Sequence, residues 1–185
     1  MALLRSERGV WLAASAAGAG SIIALLLIHR SAVDKALGVA LVLFLVPLSV
    51  IDIQTRRLPN SLTASAAAAA LIIGLALKSS GSDQQVLGGV LGGGFLLIFA
   101  LAYPRGLGLG DVKLAGVLGL FLSRSVVVAI FAACFASMGA AIAAISKSGL
   151  RQGLKTSFPF GPFLAIGGVV AIFAGPSIMS HWTLP

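Results

Sequence analysis

An all-α, polytopic bundle of six or seven transmembrane segments is the fold class that this sequence predicts, and three observations carry the prediction. Hydrophobic residues make up 58% of the chain and charged residues 10%, against roughly 25% charged in soluble domains, and mean hydropathy is +1.07. The apolar residues are gathered into runs close to the length of a bilayer crossing. The basic residues sit in the short polar gaps between those runs, the arrangement that sets membrane orientation. A soluble protein of 185 residues would need far more polar surface than this.

The runs fall at about 10–28, 36–51, 61–77, 86–103, 112–122, 125–146 and 161–178. The first follows a basic N-terminus and resembles a secretory signal. It is about long enough to span a bilayer, though, and no cleavage context precedes "HRSAVDK", so a retained helix is expected. The second run ends directly on Asp52, and the third follows "RRLPN". The fourth carries Gly88-xxx-Gly92 and Gly89-xxx-Gly93, small residues at the spacing that lets helices approach closely. They form no phosphate loop, because no GK[ST] follows. The run 112–122 falls short of the ~17–20 residues of a crossing: it is a partial helix, or it merges with the next run across Ser123–Arg124–Ser125. The last opens at "FPFGPF". Two parts are expected: residues 1–35, a tail and an extra transmembrane helix, and residues 36–180, the main transmembrane domain.

Charge then fixes orientation. With seven crossings, Arg5, Arg8, Arg56, Arg57, Arg105, Lys113, Lys147, Arg151 and Lys155 fall on one side, and Arg30, Lys35, Lys78 and Arg124 on the other, nine against four. The first side is expected to be cytoplasmic. The formal net charge of +8 is thereby absorbed, and with no basic stripe interleaved with aromatics, nucleic acid is excluded as a partner. A lone Cys134, and His29 and His181 far apart, give no disulfide, no CxxC pair and no zinc site; no cofactor or metal is expected.

Five carboxylates remain. Glu7 lies in the basic tail, Asp34 in "HRSAVDK" and Asp83 in "KSSGSDQQ", all read as solvated loop charges. Asp52 and Asp111 differ: each adjoins apolar sequence, and both belong to the same membrane face. An ionisable group at a membrane segment points to function. The plainer reading is a pair of helix-end charges balanced by Arg56, Arg57 or Lys113. Two carboxylates held close together cannot both ionise cheaply. One can activate water as a base while the other, protonated, polarises a carbonyl and returns a proton to the leaving amine. Gly106, Gly108 and Gly110 before Asp111 let the backbone bend and leave room for an extended chain.

Here the residues match a family. "GLGDVKL", with Gly108, Gly110, Asp111 and Lys113, reads as a GxGD motif. "DIQTRRLPNSLT", with Asp52, Pro59 and Asn60, lies about sixty positions earlier, and "FPFGPFLAIGG", with Pro159, Gly161 and Pro162, follows. Together they resemble the type IV prepilin peptidases, aspartic membrane proteases of the GxGD class, over about residues 36–178. The resemblance implies that Asp52 and Asp111 are the catalytic pair. It implies a site at the cytoplasmic edge of the bacterial inner membrane, and as substrates prepilin-like precursors cut between a short basic leader and an apolar helix, typically after a glycine. It implies that the other residues named support the motifs. Long members insert a methyltransferase domain near the N-terminus. Here only His29 to Lys35 separate the first two runs, so a short form is expected, more like the Flp (Tad) pilus peptidases than the archaeal preflagellin peptidases.

Two finer expectations follow. Pro159 and Pro162, which fix φ, shape a bent entry to the last helix near the site, or simply start that helix. Lys113 pairs with an acid on the substrate helix, tunes Asp111, or snorkels to the interface. The competing function is a small proton- or cation-coupled transporter or channel subunit using the same aspartates, which would place them near the bilayer midplane; a scaffold subunit is a third reading. The bilayer is the one further partner implied, and oligomeric state is not encoded in any feature found.

Overall fold

The computed structural model describes residues 2–28, 31–77, 82–103, 107–149 and 159–182. Among the described residues there are seven α-helices and no strand: α1 Ala2–Leu27, α2 Ala32–Thr55, α3 Asn60–Leu77, α4 Ser82–Ala102, α5 Leu109–Leu122, α6 Val126–Ser148 and α7 Gly161–Trp182. Six stretches are long and apolar enough to cross a membrane, with α5 and α6 counted as one stretch of 38 residues. The chain is a multi-pass membrane protein, as expected.

The helices overrun the apolar runs because caps extend them. Ser31 accepts from the Asp34 N–H at 3.1 Å and donates its hydroxyl to the Asp34 carboxylate at 2.7 Å, a reciprocal cap at the start of α2. Asp34 is exposed, as a solvated charge should be, but it belongs to a helix and not to a loop. Lys35 reaches back to the Leu26 carbonyl at 3.0 Å, a cation on the negative end of α1. At its other end α2 stops at Arg56, whose φ of 51° takes it out of the helix.

The fifth apolar run is the partial helix that its length predicts, and it does not continue straight into the sixth. Between them Ser123, with φ 52° and ψ −132°, opens a 3₁₀ turn over Ser123–Ser125, and the chain reverses. Ser125 packs on Gly175, Ala129 on Gly167, and Leu118 on Gly168. Helix α5 therefore runs alongside α7 and α6 runs back against it. At 14 residues, α5 is about 21 Å long, shorter than the ~30 Å hydrocarbon core. It is held by α4: Gly88 meets the Gly119 carbonyl and Ser123, and Gly92 meets the Ala115 carbonyl. Backbone lies on backbone here, and the glycine pairs serve the close packing that their spacing predicts.

The core sits among α2, α5 and α7, where Leu41, Leu48, Leu114, Leu118 and Leu164 are fully buried. Helix α3 adds a stripe of Thr63, Ala66, Ala70 and Gly74. At its far end Gly74 meets Gln85 of α4, which is 1% exposed with neither amide atom bonded among the described residues. The polar stretch "KSSGSDQQ", read as a hydrophilic turn, thus sends one of its residues into the bundle. Arg30, Lys78, Arg105, Gly106, Arg151 and Lys155 lie outside the described residues, so the orientation count rests on sequence for them.

Candidate active site

The C-terminal end of α2 and the N-terminal ends of α3, α5 and α7 gather at one end of the bundle, and the residues singled out from sequence gather with them. Asp52 occupies the last turn of α2 and is 6% exposed. Its carboxylate accepts the Gly161 N–H at 3.0 Å. This is a local consequence of how α7 starts. The Phe160 carbonyl takes the N–H groups of Phe163 and Leu164, each at 3.0 Å. Pro162 has no N–H to offer, and the first N–H of the helix, without an intrahelical partner, turns to the carboxylate. Asp52 thus sits at the negative end of its own helix but at the positive end of another. A Cβ on Gly161 would lie 2.5 Å from Asp52 Oδ2, so the approach requires glycine.

Asp111 is half-buried in the first turn of α5. Gly108 caps the helix in extended conformation, with φ −78° and ψ 145°, and without a side-chain cap. The Asp111 carboxylate turns back toward Gly108, whose backbone favours its charge. Gly110 lies against Leu58, 3.4 Å from where its Cβ would be.

The two carboxylates face a shared region: the charge of Asp52 acts on Asp111, and that of Arg56 acts on Asp52. Among the described residues neither carboxylate makes an ion pair; of Arg56, Arg57 and Lys113, the charges expected to balance them, Arg56 acts on Asp52 from a distance. Lys113 turns to Asn60, whose Oδ1 accepts its ammonium at 2.8 Å. Both aspartates lie at helix ends, not mid-span as a transporter's coupling acids would be. Pro59 closes the α2–α3 turn and its carbonyl accepts the Thr63 N–H at 3.1 Å. Pro159 is half-buried just before α7 and Pro162 sits in its first turn beside Gly161, so helix start and site edge coincide there.

Sequence reasoning missed the side chains that stiffen the α2–α3 turn. Thr55 Oγ1 lies 2.9 Å from the Ile51 carbonyl and 3.1 Å from that of Arg57, and accepts the Arg57 N–H at 3.3 Å. Thr63 Oγ1 lies 3.1 Å from the Asn60 carbonyl. Threonines beside a predicted helix end, able to bond the backbone locally, were the available signal. Chemically, two carboxylates at a membrane edge, Asp52 deeply buried and held by the Gly161 N–H, Asp111 half-buried beside Gly108, leave oxygen atoms for a water or a carbonyl.

Comparison with known proteins gives a consistent picture. Residues 39–144 match the type IV leader peptidase family, over half of the chain. The chain is 35% identical over 138 residues to the prepilin leader peptidase/N-methyltransferase of Burkholderia pseudomallei, covering 71% of this chain and 44% of that protein. The protein of the same name from Pectobacterium carotovorum subsp. carotovorum is 35% identical over 132 residues, 68% of this chain and 47% of that one. That of Neisseria gonorrhoeae is 32% identical over 147 residues, 76% and 49%. The chain spans about half the length of these curated relatives. No solved structure matches.

Proposed function

Starting from the fact that the chain belongs to the type IV leader peptidase family, we propose that it is an aspartic endopeptidase of the membrane in which Asp52 and Asp111 remove the leader from prepilin-like precursors. The observation that carries this reading is the placement of two carboxylates, 59 residues apart in sequence, close enough that the charge of Asp52 acts on Asp111. Water held between them is deprotonated by the ionised carboxylate as it attacks the scissile carbonyl. The protonated carboxyl donates to that carbonyl oxygen, and the proton then passes to the departing amine. The Gly161 N–H keeps the Asp52 carboxylate in place, and the backbone at Gly108 favours the ionised form of Asp111.

The site end of the bundle faces the cytoplasm of the bacterial inner membrane in this reading, supported by the nine-to-four distribution of basic residues. Residues 36–180 form the peptidase part and residues 1–35 an added tail and helix. The substrate is of the Flp (Tad) type, on the strength of "RRLPN" and the compact run of helices. Incubation of the purified protein in detergent with a prepilin precursor tests the assignment: release of the leader by the native chain, and none by Asp52→Asn or Asp111→Asn, is expected. Release by either variant at a comparable rate refutes it.

A further inference from the structure

Lys113 has no part as acid or base in the reaction, yet it bridges the two chain segments that bear the aspartates. On one side, Asp52 and its neighbours form a stiff unit. The Arg56 N–H closes on the Asp52 carbonyl at 2.9 Å, Thr55 ties Arg57 back to the last turn of α2, and Thr63 binds the Asn60 carbonyl at 3.1 Å. The path from Asp52 through the turn to Asn60 is therefore a short, internally bonded piece. On the other side, Asp111 and Lys113 share the start of one helix. Two contacts join these pieces. Leu58 seats on Gly110, and Asn60 Oδ1 takes the Lys113 ammonium at 2.8 Å. They flank Asp111 in sequence, one before it and one after, so together they resist both a shift and a rotation of its helix against α2.

We infer that the Lys113–Asn60 hydrogen bond is a strut that sets the separation of the Asp52 and Asp111 carboxylates. Lys113 and Asn60 are positioning residues, and their consequence for catalysis rests on the peptidase reading, while the strut itself does not. A donor at position 113 and an acceptor at position 60 are what the geometry needs; the sign of charge is secondary. Loss of either partner frees the start of α5 to move. A displacement near 1 Å between groups that must share a water costs on the order of 100-fold in rate.

Two measurements separate the strut from the chemistry. In a Cys134→Ala background, Asp52→Cys and Asp111→Cys are joined by a short bifunctional thiol reagent in the full-length protein. Adding Lys113→Met or Asn60→Ala is expected to lower the cross-linking yield severalfold. Exchanging the pair, Asn60→Lys with Lys113→Asn, is expected to restore it, because donor and acceptor again meet. With both aspartates present, each single variant should lower kcat by about 10- to 100-fold with little change in KM. The double variant Lys113→Met/Asn60→Ala should be no slower than either single one, and the exchanged pair should recover. Unchanged cross-linking in both single variants overturns the strut, as does a loss confined to KM, which would mark Lys113 as a substrate contact. If cross-linking falls as expected while Asp52→Asn still cleaves, the strut stands and the peptidase assignment of Asp52 fails.

Discussion

The Gly161 N–H donates to the Asp52 carboxylate across 109 positions of sequence, and the space between them admits no side chain. A Cβ at 161 would fall 2.5 Å from Oδ2 and 3.0 Å from Cγ. Gly161→Ala is therefore expected to push Asp52 out of place and lower cleavage by at least about tenfold, in line with the cost of small misplacements. Gly139→Ala is the control: its Cβ meets nothing within 4 Å, and alanine favours a helix interior by up to about 1 kcal/mol. Leader release assayed on both variants at matched yield checks the contrast; equal activity would refute the constraint.

Asp52→Asn and Asp111→Asn keep shape while removing an ionisable group. Each is expected to abolish cleavage with normal membrane insertion, and the pair together to be no worse than either alone, since they act as a unit. The pH–rate profile of the native chain should be bell-shaped, its two limbs belonging to the pair and not to single residues. A single sigmoid step from pH 4 to 9, read as initial rates of leader release, would argue against a two-carboxylate mechanism.

The seam between α4 and α5 makes a prediction about stability. A Cβ on Gly119 would overlap the Gly88 carbonyl, and neither backbone can yield without parting the helices. Gly119→Ala should cost about 1–3 kcal/mol, the usual penalty of overpacking, seen as a lower midpoint in detergent thermal unfolding. Gly94→Ala, on α4 but with open space around it, should not.

Gln85 makes the opposite prediction. Its amide is buried and unbonded, a state that costs about 1–3 kcal/mol. Gln85→Leu should leave the unfolding midpoint unchanged or raise it, while Gln85→Glu should lower it by placing a charge in the same pocket. A large loss with leucine would mean that the amide has a partner inside the bundle.

Orientation can be read directly. In a Cys134→Ala background, Arg57→Cys at the site end should resist an impermeant thiol reagent in intact cells. Asp83→Cys, exposed in the first turn of α4 at the other end, should react. The reverse pattern would invert the topology.

Much of this was legible because it is local. Asp52 and Asp111 stand out since charges are scarce in an apolar chain, and the glycine spacing on α4 announces close packing by itself. What the sequence hides is non-local or unforced. Nothing near Asp52 reveals that its hydrogen-bond donor comes from the start of α7. The reversal at Ser123 carries no glycine or proline, and a serine adopting φ 52° leaves no mark in composition. Gln85 looks like loop because it begins α4 amid polar neighbours, and only the approach of Gly74 shows that it is inside. Lys113 had three plausible destinations, and its preference for Asn60 depends on a turn geometry set by two threonine hydroxyls.

The reversal between α5 and α6 also bears on how the chain enters the bilayer. Helix α5 is too short to partition as an independent stopper, and the segment that must be carried across to form the bend bears a single charge, Arg124. The natural unit of insertion is therefore the pair, threading in together with Ser123–Ser125 as its leading tip. Until α6 has been made, the hold of α5 on the bilayer, and with it the place of Asp111, rests on the glycine seam with α4.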